Sequence, residues 1–251
     1  MRSSDAPIQA HKIRCNNETV TYFTAGQSSG VTIVLVHGIG VSTRYFRSLI
    51  TALAPNFRIL SVDLPGFGAS SRPEKAWAIP DFAQAVQAVI DHEHILHPVL
   101  LGQSMGCQVI ASLLAQQPGI SPKAILIGPT VDAKHRSLAA QTWRLLQDSI
   151  LEPPLVNLRI WREYARCGPK QYLQTVRPML RDRIEDNLAA SEAAVLIVRG
   201  EHDVIAPHAW AGKLAAVAPA AGRCEIKGAA HLAHMTHTDE IAVICEEFAL
   251  A

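Results

Sequence analysis

Residues 98–114 read PVLLGQSMGCQVIASLL, and this stretch decides the fold. Residues 98–101 form a short apolar run, and Val109, Ile110, Leu113 and Leu114 then recur at helical spacing. Between strand and helix stands Gly102-Gln103-Ser104-Met105-Gly106, a G-x-S-x-G turn. In that setting the turn is sharp, and the two glycines give the backbone room to make it. The serine hydroxyl is left exposed at the carboxyl end of a sheet, beside a helix N-terminus that favours developing negative charge. Context carries the reading, because Gly26-Gln27-Ser28-Ser29-Gly30 matches the same pattern. That copy lies in a polar link between two strands with no helix after it. Ser28 is therefore read as a loop residue and Ser104 as a nucleophile.

Outward from this turn, compact apolar runs at 32–36, 58–62, 123–127 and 194–198 alternate with helical patterns. Continuous apolar runs suit strands buried on both faces of a parallel sheet. Helical spacing recurs at Phe82, Val86, Val89 and Ile90 and again over 239–248. Strand, helix, strand in repetition predicts an α/β fold with a mostly parallel, doubly wound sheet. Residues 12–14 and 19–23 read as an antiparallel edge. From 133 to 191 there is helical pattern without a strand, broken at Pro153-Pro154 and Gly168-Pro169. This predicts a helical insertion at 133–191 within a core of 1–132 and 192–251. The insert holds ten Lys and Arg against six acids, most of them read as a solvated helical face.

A serine hydroxyl needs a base held in one tautomer by an acid. Residues 195–200 form a late strand, and Glu201-His202-Asp203 follows. Asp203 is read as the acid, with Asp132 as runner-up; Glu201 sits nearer the strand end. His231 follows a short strand at 223–226 through Gly228-Ala229-Ala230 and precedes the last helix, which makes it the candidate base. His231, His234 and His237 also allow a metal reading, but no acidic or cysteine partner clusters with them in sequence. No metal and no cofactor is expected. His37-Gly38-Ile39-Gly40 closes an earlier strand, and this glycine turn brings a backbone N–H beside the nucleophile, where it joins the N–H of Met105 as an oxyanion hole. His37 is read as structural.

The elbow, the order serine–acid–histidine and the loop Asp63-Leu64-Pro65-Gly66-Phe67-Gly68-Ala69-Ser70 together resemble the α/β-hydrolase superfamily over nearly the whole chain. The resemblance implies a triad of Ser104, Asp203 and His231, oxyanion N–H groups from Ile39 and Met105, a structural Asp63, and a cap over the pocket formed by the insertion at 133–191. It puts Gln103 and Leu232, beside nucleophile and base, with the substrate-binding residues. Trp143, Trp161 and Tyr164 of the insert are expected to wall an apolar pocket. Serine at the elbow is similar to esterases and lactonases, and to hydrolases that cleave carbon–carbon bonds in aromatic ring-fission products. The latter typically carry asparagine and tryptophan where this chain has Gln103 and Leu232. A carboxylesterase or lactonase acting on a small, largely apolar molecule is the expectation. A carbon–carbon hydrolase with a cap arginine clamping a carboxylate, and a non-catalytic small-molecule receptor of the same fold, are the alternatives.

The 251 residues suffice for one filled domain, and the net charge of +1 lacks the basic excess of a nucleic-acid binder. No run approaches the length of a membrane span. Residues 1–10 lack an apolar leader core, and five separated cysteines suggest reduced thiols. A cytoplasmic enzyme with a small-molecule substrate and no membrane partner is expected, with homo-oligomerisation left open.

Overall fold

A computed structural model describes residues 8–251. The reading that no secretory leader begins the chain rests on residues 1–10, of which 1–7 lie outside the described residues. One eight-stranded sheet has the order β1-β2-β4-β3-β5-β6-β7-β8. Its first hairpin, β1 (Gln9–Cys15) with β2 (Glu18–Gly26), is antiparallel, and β2 joins β4 (Arg58–Asp63) antiparallel. From β4 onward, β3 (Thr32–Val36), β5 (Val99–Gln103), β6 (Lys123–Ile127), β7 (Ala194–Gly200) and β8 (Ala220–Ile226) run parallel.

Alternation along these strands splits the core into two layers. Val34, Val36, Leu60, Leu100 and Leu126 face one layer; Ile33, Leu35, Ile59, Leu101 and Ile125 face the other. The second layer is closed by α1 (Arg47–Leu53) and α10 (Thr238–Leu250), which pack on each other, with the short α9 (Ala233–Thr236) beside them. The first is closed by α2 (Ile79–His92), α3 (Met105–Gln116) and α8 (His208–Val217). Neither α1 nor α8 stands out in the sequence. The first is only seven residues long, and the second reads HAWAGKLAAV, with little contrast between its faces.

Four helices connect β6 to β7: α4 (Leu138–Leu151), α5 (Pro154–Cys167), α6 (Pro169–Arg181) and α7 (Ile184–Ala189). The first three overhang the carboxyl end of the sheet, where their residues face Ser104 across a cavity. The fourth departs from the boundary expected at 191. Its Ile184 and Leu188 are fully buried and α7 packs on α3 and α8, because these two apolar side chains complete the core layer rather than the overhang.

Candidate active site

The strand read at 98–101 continues through Gly102 and Gln103, which stay in register with Leu126 and Ile127. Ser104 then turns the chain at φ 55° and ψ −119°, and α3 begins at the next residue. A side chain other than glycine held there costs about 1–3 kcal/mol, so neighbours must over-determine it. Ser104 N–H donates to Ile127 O at 3.0 Å, and Cys107 N–H donates to Ser104 O at 3.0 Å. A Cβ on Gly102 would lie 2.7 Å from Gly106 C, and one on Gly106 only 2.1 Å from Val36 O. Both flanking glycines are therefore steric necessities. Ser28 lies exposed in the link between β2 and β3.

Asp203 and His231 meet beside this turn, with Nδ1 of the imidazole 2.9 Å from Oδ2 of the carboxylate, both buried. The other oxygen, Oδ1, accepts from Ile205 N–H at 2.9 Å and Ala206 N–H at 2.8 Å. Burial works against ionisation of Asp203, yet His231 and these donors hold its carboxyl below the usual range. Burial likewise disfavours the imidazolium, but the Asp203 carboxylate, joined by Asp148 and Glu152, outweighs it and raises His231 above its ordinary value. The loop is fastened by buried Arg199, a residue the sequence did not bring forward, whose Nη2 donates to Asp203 O at 3.1 Å and whose Nε donates to Ala206 O at 2.9 Å. Glu201 instead accepts from Gly228 N–H at 2.8 Å, and His202 is exposed. Asp132 binds His135 and Arg144, away from the imidazole.

His37 is fully buried, with Nδ1 2.7 Å from Gly38 O and Nε2 accepting from Leu64 N–H at 2.9 Å. Asp63 accepts from Thr43 N–H at 2.7 Å and Ala69 N–H at 2.8 Å, so it braces two loops. A hydrogen-bond chain then joins the glycine turn to the backbone of His231. Gly38 N–H donates to Tyr45 OH at 3.0 Å, Tyr45 OH donates to Gln103 Oε1 at 2.8 Å, and Gln103 Nε2 donates to His231 O at 3.2 Å. The Gln103 amide, expected to bind substrate, is thus engaged at both ends within the protein. Ile39 and Met105 N–H, by contrast, have no acceptor among the described residues.

A cavity of about 170 Å³ opens over Ser104 and His231. Leu145, Ile160, Val176, Met179 and Leu232 give it an apolar lining, and Ile39, Gln103, Trp161 and Tyr164 also border it. Trp143 does not. It projects 62% exposed into a separate groove beside Val204 and Pro207, since its position on α4 turns it away from Ser104. No Arg or Lys lines the cavity among the described residues; Asp148 is the carboxylate there.

Asp148 and Glu152, both buried, escaped the sequence reading because nothing local distinguishes them from solvated helix acids. Asp148 Oδ1 accepts from His231 N–H at 3.2 Å, and Glu152 Oε1 accepts from Leu232 N–H at 2.7 Å. Burial pushes their carboxyls up to about 6 and about 7. A third buried acid, Glu163 on α5, accepts from Ser42 Oγ at 2.6 Å and from Arg44 Nε at 2.9 Å. The overhanging helices therefore reach the loop after β3 and the loop of His231 through carboxylates. His234 has both ring nitrogens unpartnered and packs on Tyr45 and Phe46 at 4.6 and 5.2 Å, and burial pushes it down to about 3. His237 binds Thr236 Oγ1 at 2.9 Å, so the three spaced histidines do not converge.

The family model described as the alpha/beta hydrolase family matches residues 33–244. A 1-acylglycerol-3-phosphate O-acyltransferase of Oryza sativa, described as probable, is 31% identical over 60% of this chain and 39% of its own length. The chain spans between 32% and 40% of the lengths of the first three curated relatives it matches. A pimeloyl-[acyl-carrier protein] methyl ester esterase of Aeromonas hydrophila is 26% identical, covering 87% of this chain and 95% of the esterase. The crystal structure of an enol-lactonase from Burkholderia xenovorans superimposes with a TM-score of 0.83 at 19% identity, covering 96% of this chain and 100% of that one.

Proposed function

The chain belongs to the alpha/beta hydrolase family, and from that premise we propose that it is a serine hydrolase cleaving a short, uncharged ester or lactone through an acyl-enzyme. One observation carries the reading: Ser104, strained at φ 55°, shares a cavity with the imidazole that Asp203 holds. Ser104 Oγ attacks the carbonyl carbon while His231 Nε2 takes its proton. Asp203 keeps the other ring nitrogen protonated and stabilises the imidazolium. The tetrahedral oxyanion sits between Ile39 and Met105 N–H, each such donor being worth about 3 kcal/mol of barrier. His231 returns the proton to the leaving alkoxide, and water then repeats the sequence on the acyl-serine, releasing acid and free enzyme.

Size and charge support the substrate class. A cavity of about 150 Å³ holds benzene, so the space over Ser104 suits a group of about six heavy atoms. A ring-fission product would bring a carboxylate, and the lining offers it Asp148 and no guanidinium. The Aeromonas esterase and the Burkholderia enol-lactonase lend the ester and lactone reading their support.

The test is turnover by purified protein on p-nitrophenyl esters of increasing chain length, lactones and acidic ring-fission diketones. Short uncharged esters or lactones should be hydrolysed. Ser104→Ala and His231→Ala should each lower kcat at least about 10³-fold. An acidic diketone with a higher kcat/KM than every ester, or near-wild-type turnover by Ser104→Ala, would overturn the proposal.

A further inference from the structure

The outer face of α4–α6 carries only one sign of charge. All three carboxylates between residues 138 and 181, Asp148, Glu152 and Glu163, are buried and turned onto loops of the core. Six cations in the same span are exposed, and five of them, Arg159, Arg162, Lys170, Arg177 and Arg181, are in no ion pair among the described residues. This face is also strongly apolar. Nine of the thirteen exposed large apolar side chains among the described residues fall between 138 and 173. Ile150 is 85% exposed, Leu155 72% and Trp161 59%. Scattered apolar residues on a surface need no explanation, but a concentrated set does.

The arrangement is directional. On α4, Leu138, Leu146 and Ile150 follow at helical spacing on the exposed side, and on α5 Leu155, Leu158 and Trp161 do the same. The two helices are tied at their turn, where Asn157 Nδ2 donates to Ser149 O at 2.7 Å. Leu138, Leu146 and Trp161 also border the cavity over Ser104, so the apolar face runs into the cavity mouth.

We propose that this face docks the protein on an anionic phospholipid bilayer, with the mouth of the Ser104 cavity against the lipid. Exposed leucine, isoleucine and tryptophan on one side of a helix, flanked by arginine, match an interfacial amphipathic helix. The unpaired cations match acidic headgroups. A second copy of the chain fits this face poorly, because a two-fold interface would set its cations against their own counterparts. A soluble acidic protein would answer the charge and leave Ile150 and Leu155 unexplained. No helix among the described residues is long and apolar enough to cross a membrane, so contact is at the surface. Delivery of an ester from that surface rests on the hydrolase reading above, whereas docking itself does not.

The experiment is sedimentation with vesicles of phosphatidylcholine alone and of phosphatidylcholine with about 30% phosphatidylglycerol. The wild-type protein should partition onto the anionic vesicles at least about tenfold more strongly, and salt should weaken the binding, since each basic residue near such a surface is worth about fivefold. Arg159→Glu with Arg162→Glu, and separately Ile150→Ser with Leu155→Ser, should each lower binding at least about tenfold. Both pairs should keep wild-type turnover of a soluble short ester, which also reports that they fold. Absence of wild-type binding to anionic vesicles overturns the proposal without touching the hydrolase reading. So does binding indifferent to salt and to both variants, or an apolar variant that splits a dimer yet binds vesicles as before.

Discussion

Gly128 shows how much of the site depends on one missing methyl group. It follows β6 at φ 57°, and a Cβ there would lie 2.9 Å from both Cε1 and Nδ1 of His231 and 3.1 Å from Asp203 Oδ2. Gly128→Ala should therefore displace the imidazole as well as strain the backbone. A base misplaced by about 1 Å costs on the order of 10² in rate, so kcat should fall by at least about tenfold while the protein still folds. Unchanged kcat would mean that the ring tolerates the shift and that the observed pair geometry does not set the rate. The sequence holds no sign of this, because Gly128 is remote from His231 along the chain. Ser104, Asp203 and His231 were legible as candidates since each ends or follows a strand of clear pattern. Gln103 reads as a substrate contact because its adjacency to Ser104 is visible in sequence, whereas its bonds to Tyr45 OH and His231 O are not.

Among the elements, α4 is the one whose sequence says least about its work. Its amphipathic pattern announced a helix, and the strandless gap announced an insertion. That Asp148, and Glu152 just after it, turn inward onto the His231 loop depends on packing across 80 or more positions. The consequence is testable through pH. Burial raises both carboxyls, to about 6 and about 7, so the folded chain binds these protons more tightly than the unfolded one. The stability they contribute is full below about pH 4, the ordinary carboxylate range, and is lost as pH rises through about 6 to 7. Asp148→Asn with Glu152→Gln keeps acceptors for His231 and Leu232 N–H but cannot ionise. Denaturation measured from pH 5 to pH 8 should show the wild type losing at least about 1 kcal/mol relative to this variant, one unit of pKa being worth about 1.4. A constant difference would contradict the burial account. The same carboxylates add to Asp203 in raising His231 against its burial. Hydrolysis needs the neutral ring, so the acid limb of kcat/KM should move to lower pH in the variant.

At the scale of the molecule, the order of elements was the most legible feature, because parallel strands buried on both faces are written as unbroken apolar runs. The antiparallel edge at β1 and β2, the parallel core and the helical insertion before β7 follow from that pattern. The end of the insertion did not, since α7 has the same helical signature whether it packs over the cavity or, as found, on α3 and α8. What the fold assembles is one strained serine, one paired imidazole and two unclaimed N–H groups around a small apolar cavity. A receptor could keep this arrangement without using it, so the central claim is that Ser104 is an activated nucleophile. The most direct measurement is intact-mass and peptide analysis after brief reaction with a fluorophosphonate, run beside ester turnover. One phosphonyl adduct should form, on Ser104, in step with loss of activity, and His231→Ala should slow its formation at least about 10²-fold. An adduct on another residue, or a Ser104→Ala protein that still labels and still hydrolyses the ester at the wild-type rate, would contradict the account.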